Sequence, residues 1–153
     1  MIQRIQTLYL FFTSVLLGIL CFVPFASFLW EGEVFRQNVW GAWSTGTESS
    51  VLAFGTIPMG ILTALSALLP LVIIFLYKKR GLQMRLCIAE LILLLGVVIY
   101  MIMFLFRSSS QITDKVAFSI VDLFPILGMI LVVMAFKKIM KDQLLIKSLD
   151  RIR

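Results

Sequence analysis

Two apolar stretches in the C-terminal half of the chain decide the fold: CIAELILLLGVVIYMIMFLF (residues 87–106) and VAFSIVDLFPILGMILVVMAF (residues 116–136). Each has the roughly 20 mostly apolar residues that an α-helix needs to cross a bilayer. Each also carries one acid, Glu90 in the first stretch and Asp122 in the second, and Pro125 follows Asp122. The sequence therefore predicts membrane helices that contain ionisable groups.

The composition is that of a membrane protein. Of the 153 residues, 61% are hydrophobic and 14% are charged, and the mean hydropathy is +1.04. A soluble domain has about 45–50% apolar and about 25% charged residues. The chain has no histidine, which excludes serine–histidine and cysteine–histidine nucleophiles and imidazole metal ligands. We expect no enzyme activity, no cofactor and no metal, and we interpret Cys21 and Cys87 as packing residues.

Four segments are long and apolar enough to span a membrane: residues 8–29, 57–77, 86–106 and 116–136. The first could instead be a cleaved secretory signal, but Pro24 lies where a cleavage site needs a small residue, so an uncleaved anchor is the better interpretation. We predict an all-α protein in which residues 1–153 form one domain, an integral membrane four-helix bundle.

The basic residues predict the orientation of the bundle. They gather at the N-terminus, in the link between the second and third spans, and in the tail at residues 137–153, whereas the other two loops mix basic and acidic residues. Cytoplasmic loops are enriched in Lys and Arg, so we expect both termini in the cytoplasm. The candidate contacts to lipid headgroups on this side are Lys78, Lys79, Arg80, Arg85, Lys137, Lys138 and Lys141.

The first external loop, residues 30–50, holds every tryptophan of the chain: Trp30, Trp40 and Trp43. Tryptophan favours the headgroup level, so we expect these rings to contact the outer membrane interface. The stretch EVFRQNVW partly alternates between polar and apolar residues, which leaves room for a strand or a hairpin. A docking surface for an external partner is the alternative.

Small residues indicate where helices approach each other closely. Ser14 with Gly18 on the first span, and Gly60 with Ala64 on the second, form small-xxx-small pairs. We expect these two spans to touch. The hydroxyls of Thr63 and Ser66 can bond back to their own helix, and Pro70 should bend the second span.

The two acids are predicted to be separate sites. With a span that begins near Leu86, Glu90 lies about 6 Å inside the cytoplasmic edge, and Asp122 lies about 9 Å inside the outer edge. Arg85 is a candidate partner for Glu90, and Lys115 for Asp122.

Pro125 affects the role that we predict for Asp122. Pro125 has no N–H and should free the carbonyl of Val121 next to Asp122. We therefore expect Asp122 and Pro125 to form a polar contact between helices, with an ion-binding or proton-binding site as the alternative.

The tail KKIMKDQLLIKSLDRIR (residues 137–153) is too charged to be a span. Its apolar residues follow a helical spacing, so we predict a cytoplasmic amphipathic helix that lies along the inner leaflet. A dock for a cytoplasmic partner is the alternative. We do not expect nucleic-acid binding, because the tail has no aromatic residues that could stack on bases.

The segments MIQRIQTLYL, YKKRGLQMRLC and LIKSLDRIR resemble an uncharacterised family of small four-span membrane proteins of Bacteroidota, defined by domain of unknown function 4293. The resemblance covers essentially the whole chain. It implies a location in the bacterial inner membrane and agrees with four spans, but it implies no activity and no catalytic residues.

These observations favour a non-enzymatic accessory or scaffold subunit that works through helix contacts and its basic cytoplasmic surface. Besides the lipid bilayer, its expected partner is another membrane protein or a second copy of the chain. A small oligomeric ion-coupled transporter or channel is the alternative, and it rests on the acids within the spans.

Overall fold

Four long helices form the body of the protein. The computed structural model describes residues 3–30, 33–44, 52–77, 79–109 and 117–150. The helices are α1 (Gln3–Phe22), α2 (Ile57–Phe75), α3 (Arg80–Ser109) and α4 (Phe124–Asp150). α1 and α3 each pack against both α2 and α4, so helices that follow one another in the chain are neighbours. Each is long and apolar enough to cross a membrane, which confirms the predicted four-helix membrane bundle.

The bundle has apolar side chains outside and hydroxyls inside. On α2, Ile61, Leu65 and Leu68 are exposed, whereas Thr63 and Ser66 are completely buried. Water would penalise this arrangement, since it leaves a band of large apolar side chains without cover. Hydrocarbon favours it, because lipid tails cover the apolar band and the polar groups find partners between helices. The bundle is therefore built for a lipid environment.

A five-stranded antiparallel sheet closes one end of the bundle. Its strands are β1 (Ala26–Trp30), β2 (Glu33–Gln37), β3 (Gly41–Ser44), β4 (Leu52–Gly55) and β5 (Ala117–Phe118), in the order β4-β3-β2-β1-β5. The turn between β2 and β3 depends on Asn38, whose side-chain Oδ1 accepts hydrogen bonds from the backbone N–H groups of Trp40 and Gly41 at 3.1 and 3.0 Å. Asn favours such turns because its side chain substitutes for a backbone acceptor.

Aromatic side chains join this sheet to the helices. Phe28 of β1 and Phe35 of β2 are cross-strand partners, and their rings stack with centroids 5.8 Å apart. Phe104 of α3 packs against them and meets the edge of Phe25 at 6.1 Å. We call this end of the bundle the sheet end. The opposite end, which carries Lys79, Arg80 and Lys141, is the basic end.

Two of the predicted span boundaries are wrong, and in both cases a proline lies close to the actual helix end. The first span does not continue to residue 29: α1 ends at Phe22, and β1 begins two residues after Pro24. The last span does not begin at residue 116, because α4 starts at Phe124 and Pro125 lies in its first turn. A first-turn N–H has no partner within the helix, so proline is tolerated there and favours a helix start.

Helices α3 and α4 are both longer than predicted at the basic end. α3 begins at Arg80 instead of residue 86. The tail does not form a separate helix along the membrane surface, since α4 continues without interruption to Asp150. Within this continuation Ile139 is buried in the core, and Asp142 accepts a hydrogen bond from the side-chain amide of Gln6 at 2.9 Å. These contacts hold the beginning of the tail against α1.

Trp40 fastens the sheet to two helices. Its indole N–H donates to the carbonyl of Cys21, near the end of α1, at 2.9 Å. The ring lies over Gly60 in the first turn of α2, where a Cβ atom would come within 2.7 Å of Cζ3 of the indole. At Gly18 of α1, by contrast, a Cβ would meet nothing within 4 Å. The close approach predicted at Gly18 is therefore absent, and the one at Gly60 is made by a tryptophan.

Gly60→Ala and Gly18→Ala should have opposite effects on stability. The first should lower the free energy of unfolding by about 1–3 kcal/mol, because the added methyl displaces the Trp40 ring. The second should raise it by about 0.5–1 kcal/mol, since alanine favours a helix and has free space here. Unfolding of the purified protein in mixed micelles measures both. Equal effects of the two changes, or no coupling of Gly60→Ala to Trp40→Leu, would contradict the Trp40 contact.

Candidate functional site

The buried face of α3 carries a line of polar side chains that starts at the basic end. Gln83, Cys87 and Glu90 follow at helical spacing, and Leu94 and Val97 continue the same face with apolar side chains. Glu90 is the last polar residue of the line and is 0% exposed. Neither of its carboxyl oxygens has a hydrogen-bond partner among the described residues.

Two contacts fix how α3 lies against the antiparallel helix α2. The side-chain amide of Gln83 donates to the carbonyl of Ile73 at 3.3 Å, and further along, a Cβ on Gly96 would lie 3.3 Å from Leu62. Seven residues from the first contact, Glu90 is level with Ser66, and six residues from the second contact it is level with Leu68, so Glu90 lies beside residues 66–68 of α2. The hydroxyl of Ser66 is buried and also has no partner in the described part of the chain.

Helix α1 reaches the same level through Ser14. Its hydroxyl donates to the carbonyl of Ala67 on α2 at 2.7 Å, so the contact predicted between the first two spans includes a hydrogen bond between helices. We call Ser14, Ser66 and Glu90 the polar layer. Thr63, one turn from Ser66, donates to the carbonyl of Met59 at 2.8 Å and so bonds back to its own helix. Ser66 was expected to do the same and does not.

Glu90 lies deeper along its helix than the sequence predicted. Because α3 begins at Arg80, ten residues separate Glu90 from the helix start, about 15 Å along the axis. The expected ion pair with Arg85 is not formed. Five helical residues turn the chain by about 140°, so Arg85 lies exposed on another face of α3.

Asp122 plays a local structural role. It lies in a short 3₁₀ helix, Ile120–Leu123, where its carboxylate accepts the backbone N–H of Ser119 at 3.2 Å and completes a capping box. The carbonyl of Val121 is not free, because it accepts the N–H of Phe124. The predicted contact between helices through Asp122 and Pro125 is therefore replaced by a helix cap.

The other oxygen of Asp122 lacks a partner. This atom, Oδ1, is buried and has no hydrogen bond to the described residues. Asp122 lines an apolar crevice of about 250 Å³ together with Met101, Ile102 and Ile126. Lys115, its predicted counter-ion, lies outside the described residues.

A crevice of about 290 Å³ with both polar and apolar walls opens at the basic end of the bundle. Its walls include Gln6 of α1, Arg80 and Gln83 of α3, and Asp142 of α4. Gln83 therefore belongs both to this crevice and to the polar line that leads to Glu90. The sequence reasoning missed Gln83, although its spacing of seven residues from Glu90 marks the same helix face.

The remaining predicted contact residues lie on α2 and at the two ends of the bundle. Ala64 is half-buried on α2, Trp40 is 39% exposed, and Trp43 is half-buried on β3. The side chain of Trp30 and the whole of Lys78 lie outside the described residues. Among the described residues at the basic end, the exposed cations are Lys79, Arg85, Lys137, Lys138 and Lys141.

The fold and the buried polar layer together define a four-span membrane protein with an ionisable group in its core. The chain belongs to the family "Domain of unknown function (DUF4293)", whose model matches residues 2–152. No curated protein and no solved structure matches the chain. Membership of the family therefore carries no activity with it.

Replacement of the two acids should have opposite effects on the free energy of unfolding. Glu90→Met should raise the free energy of unfolding by about 1–3 kcal/mol, because an apolar side chain of similar length replaces a buried carboxyl group without partners. Asp122→Ala should lower it by about 1 kcal/mol, since a helix cap is lost. Unfolding with increasing SDS in mixed micelles gives both values. A loss of stability in Glu90→Met would contradict this expectation, because it would mean that Glu90 gains more from its contacts in the core than its burial costs.

Proposed function

We propose that the protein is a non-enzymatic accessory subunit of the bacterial inner membrane, oriented with both termini in the cytoplasm. On this proposal the basic end faces the cytoplasm and holds a soluble protein against the membrane. The observation that carries the proposal is the long continuation of α4 at that end, which combines exposed cations with exposed leucines.

The length of α4 supports a segment that projects from the membrane. The helix has 27 residues, about 40 Å, whereas the hydrocarbon layer is about 30 Å thick. The bond between Gln6 and Asp142 places Asp142 level with the first turns of α1. Asp150 lies eight residues further, about 12 Å along the axis, so the end of α4 extends past the start of its neighbour.

The exposed face of this segment favours a protein partner. Lys137 and Lys141 are exposed one turn apart, and Leu144 and Leu145 are 61% and 49% exposed beside them. A helix lying in the interface would cover such leucines with acyl chains. A helix that continues along the bundle axis carries them away from the acyl chains. We therefore assign this face to an acidic surface of a cytoplasmic protein, with an apolar centre that covers the two leucines.

The distribution of charge supports the orientation. The start of α1, the link between α2 and α3, and the continuation of α4 meet at one end of the bundle, and these are the segments rich in Lys and Arg. The positive-inside rule assigns such an end to the cytoplasm.

A photo-reactive amino acid at position 144 should form an adduct with one specific protein in intact cells. Position 130 on the same helix is the matched control, because Ile130 is 52% exposed on the apolar part of α4 and should contact only lipid. Lys137→Gln with Lys141→Gln should abolish the protein adduct at 144, since the two exposed cations on the helix face of residue 144 are then lost. Mass spectrometry of the adducts identifies the partner.

Three outcomes would overturn the proposal: adducts only with lipid at 144, adducts only with a second copy of the chain, or an adduct that survives loss of both lysines. The orientation has its own control. A reporter enzyme active only outside the cytoplasm should be inactive when fused after residue 153 and active when fused after residue 110.

A further inference from the structure

We propose that Glu90 is a proton-binding site in the core of the bundle, that Ser66 is its hydrogen-bond partner in the proton-loaded state, and that protons reach it from the crevice at the basic end. This site is separate from the proposed docking face of α4. It would remain if that face had no partner.

No other charged side chain faces Glu90 from any element packed around it. Residues 5–22 of α1, 57–75 of α2 and 124–136 of α4 contain no Asp, Glu, Lys or Arg. On α3 itself, Arg85 is exposed on another face, and the nearest ionisable neighbour is the buried thiol of Cys87. Tyr9 of α1 adds a half-buried phenol. An ionised Glu90 would therefore be a buried charge without a counter-ion, which is a costly arrangement.

A proton fits the donor set of the polar layer better than a metal cation does. A protonated carboxyl group offers one donor and one free acceptor, and the Ser66 hydroxyl can accept from the first or donate to the second. Both groups have unused hydrogen-bonding capacity at the same level of two adjacent helices. A cation such as calcium takes about six to eight oxygen ligands. The layer provides only the two oxygens of Glu90 and the hydroxyls of Ser66 and Ser14, of which Ser14 is already bonded.

The polar line on α3 gives the site access from one side only. Glu90 lies about 10 Å from Gln83 along the helix axis, and Cys87 lies between them. Gln83 lines the crevice at the basic end. Towards the sheet end, Leu94, Val97 and Met101 fill the same face of α3 with buried apolar side chains. Along this face of α3, the described polar side chains therefore continue from Glu90 towards the basic end only.

Infrared spectroscopy of the purified protein in lipid tests the site, since a protonated carboxyl group has a C=O stretching band that a carboxylate lacks. We expect this band at neutral pH in the wild type. It should be absent from Glu90→Gln and retained in Asp122→Asn. Ser66→Ala should shift the band to higher frequency because a hydrogen bond is lost. Thr63→Val is the matched control and should leave it in place, since the Thr63 hydroxyl is bonded to Met59.

The direction of access is tested by transfer of the same samples into D₂O. Exchange of the Glu90 proton should be about fivefold slower in Gln83→Leu, the factor that corresponds to roughly one hydrogen bond lost from the path. Thr63→Val leaves the crevice and the polar line on α3 intact and should leave the exchange rate unchanged.

A wild-type protein without the band at neutral pH, or a band that persists in Glu90→Gln, would overturn the proposal. If Glu90→Gln does not fold, Glu90→Asp decides, because a band that belongs to position 90 must then change in frequency. Equal exchange rates in Gln83→Leu and Thr63→Val would refute the path while leaving the site.

Discussion

The structure depends on one constraint: inside hydrocarbon, polar groups must find their partners within the protein. Helices satisfy their own backbones, so the few polar side chains between them decide which surfaces face each other. Ser14 meets this constraint with the carbonyl of Ala67, and Gln83 meets it with the carbonyl of Ile73. Both bonds tie α2 to a neighbouring helix. Among the described residues, Glu90 and Ser66 lie between these bonded groups with buried side-chain oxygens that have no hydrogen-bond partner.

The two ends of the bundle differ in structure. At the sheet end, five strands cover the helix ends and are held there by Trp40 and the rings around Phe104. A sheet leaves unpaired edges, which hydrocarbon does not tolerate, so this element belongs outside the hydrocarbon layer. At the basic end the helices stop at different levels, and the space between them forms the crevice lined by Gln83, the first residue of the polar line on α3.

The sequence predicted the number and class of the helices because a run of about 20 apolar residues is typical of a membrane-spanning helix. The predicted helix ends were wrong where the apolar sequence continues beyond the end of the helix. Phe25 and Phe28 are as apolar as a span, yet they belong to the sheet region, which only the pairing with β2 reveals. The sequence placed both acids inside spans, as two separate sites, but not their surroundings. Asp122 lies close to a proline in an apolar stretch, so it was expected to contact another helix. In the structure Asp122 caps a short helix, and Glu90 lies in the core. Which face of α3 is covered depends on three other helices, so local spacing alone could not assign it.

The central claim is that Glu90 faces Ser66 between α2 and α3, and disulfide cross-linking tests it most directly. In a protein with Cys21 and Cys87 changed to alanine, the pair Ser66→Cys and Glu90→Cys should oxidise readily in membranes. The matched pair Leu65→Cys and Glu90→Cys should not, because Leu65 is 51% exposed on the outer face of α2. Loss of maleimide labelling reports the bond. Rapid oxidation of the 65–90 pair, or none of the 66–90 pair, would contradict the account.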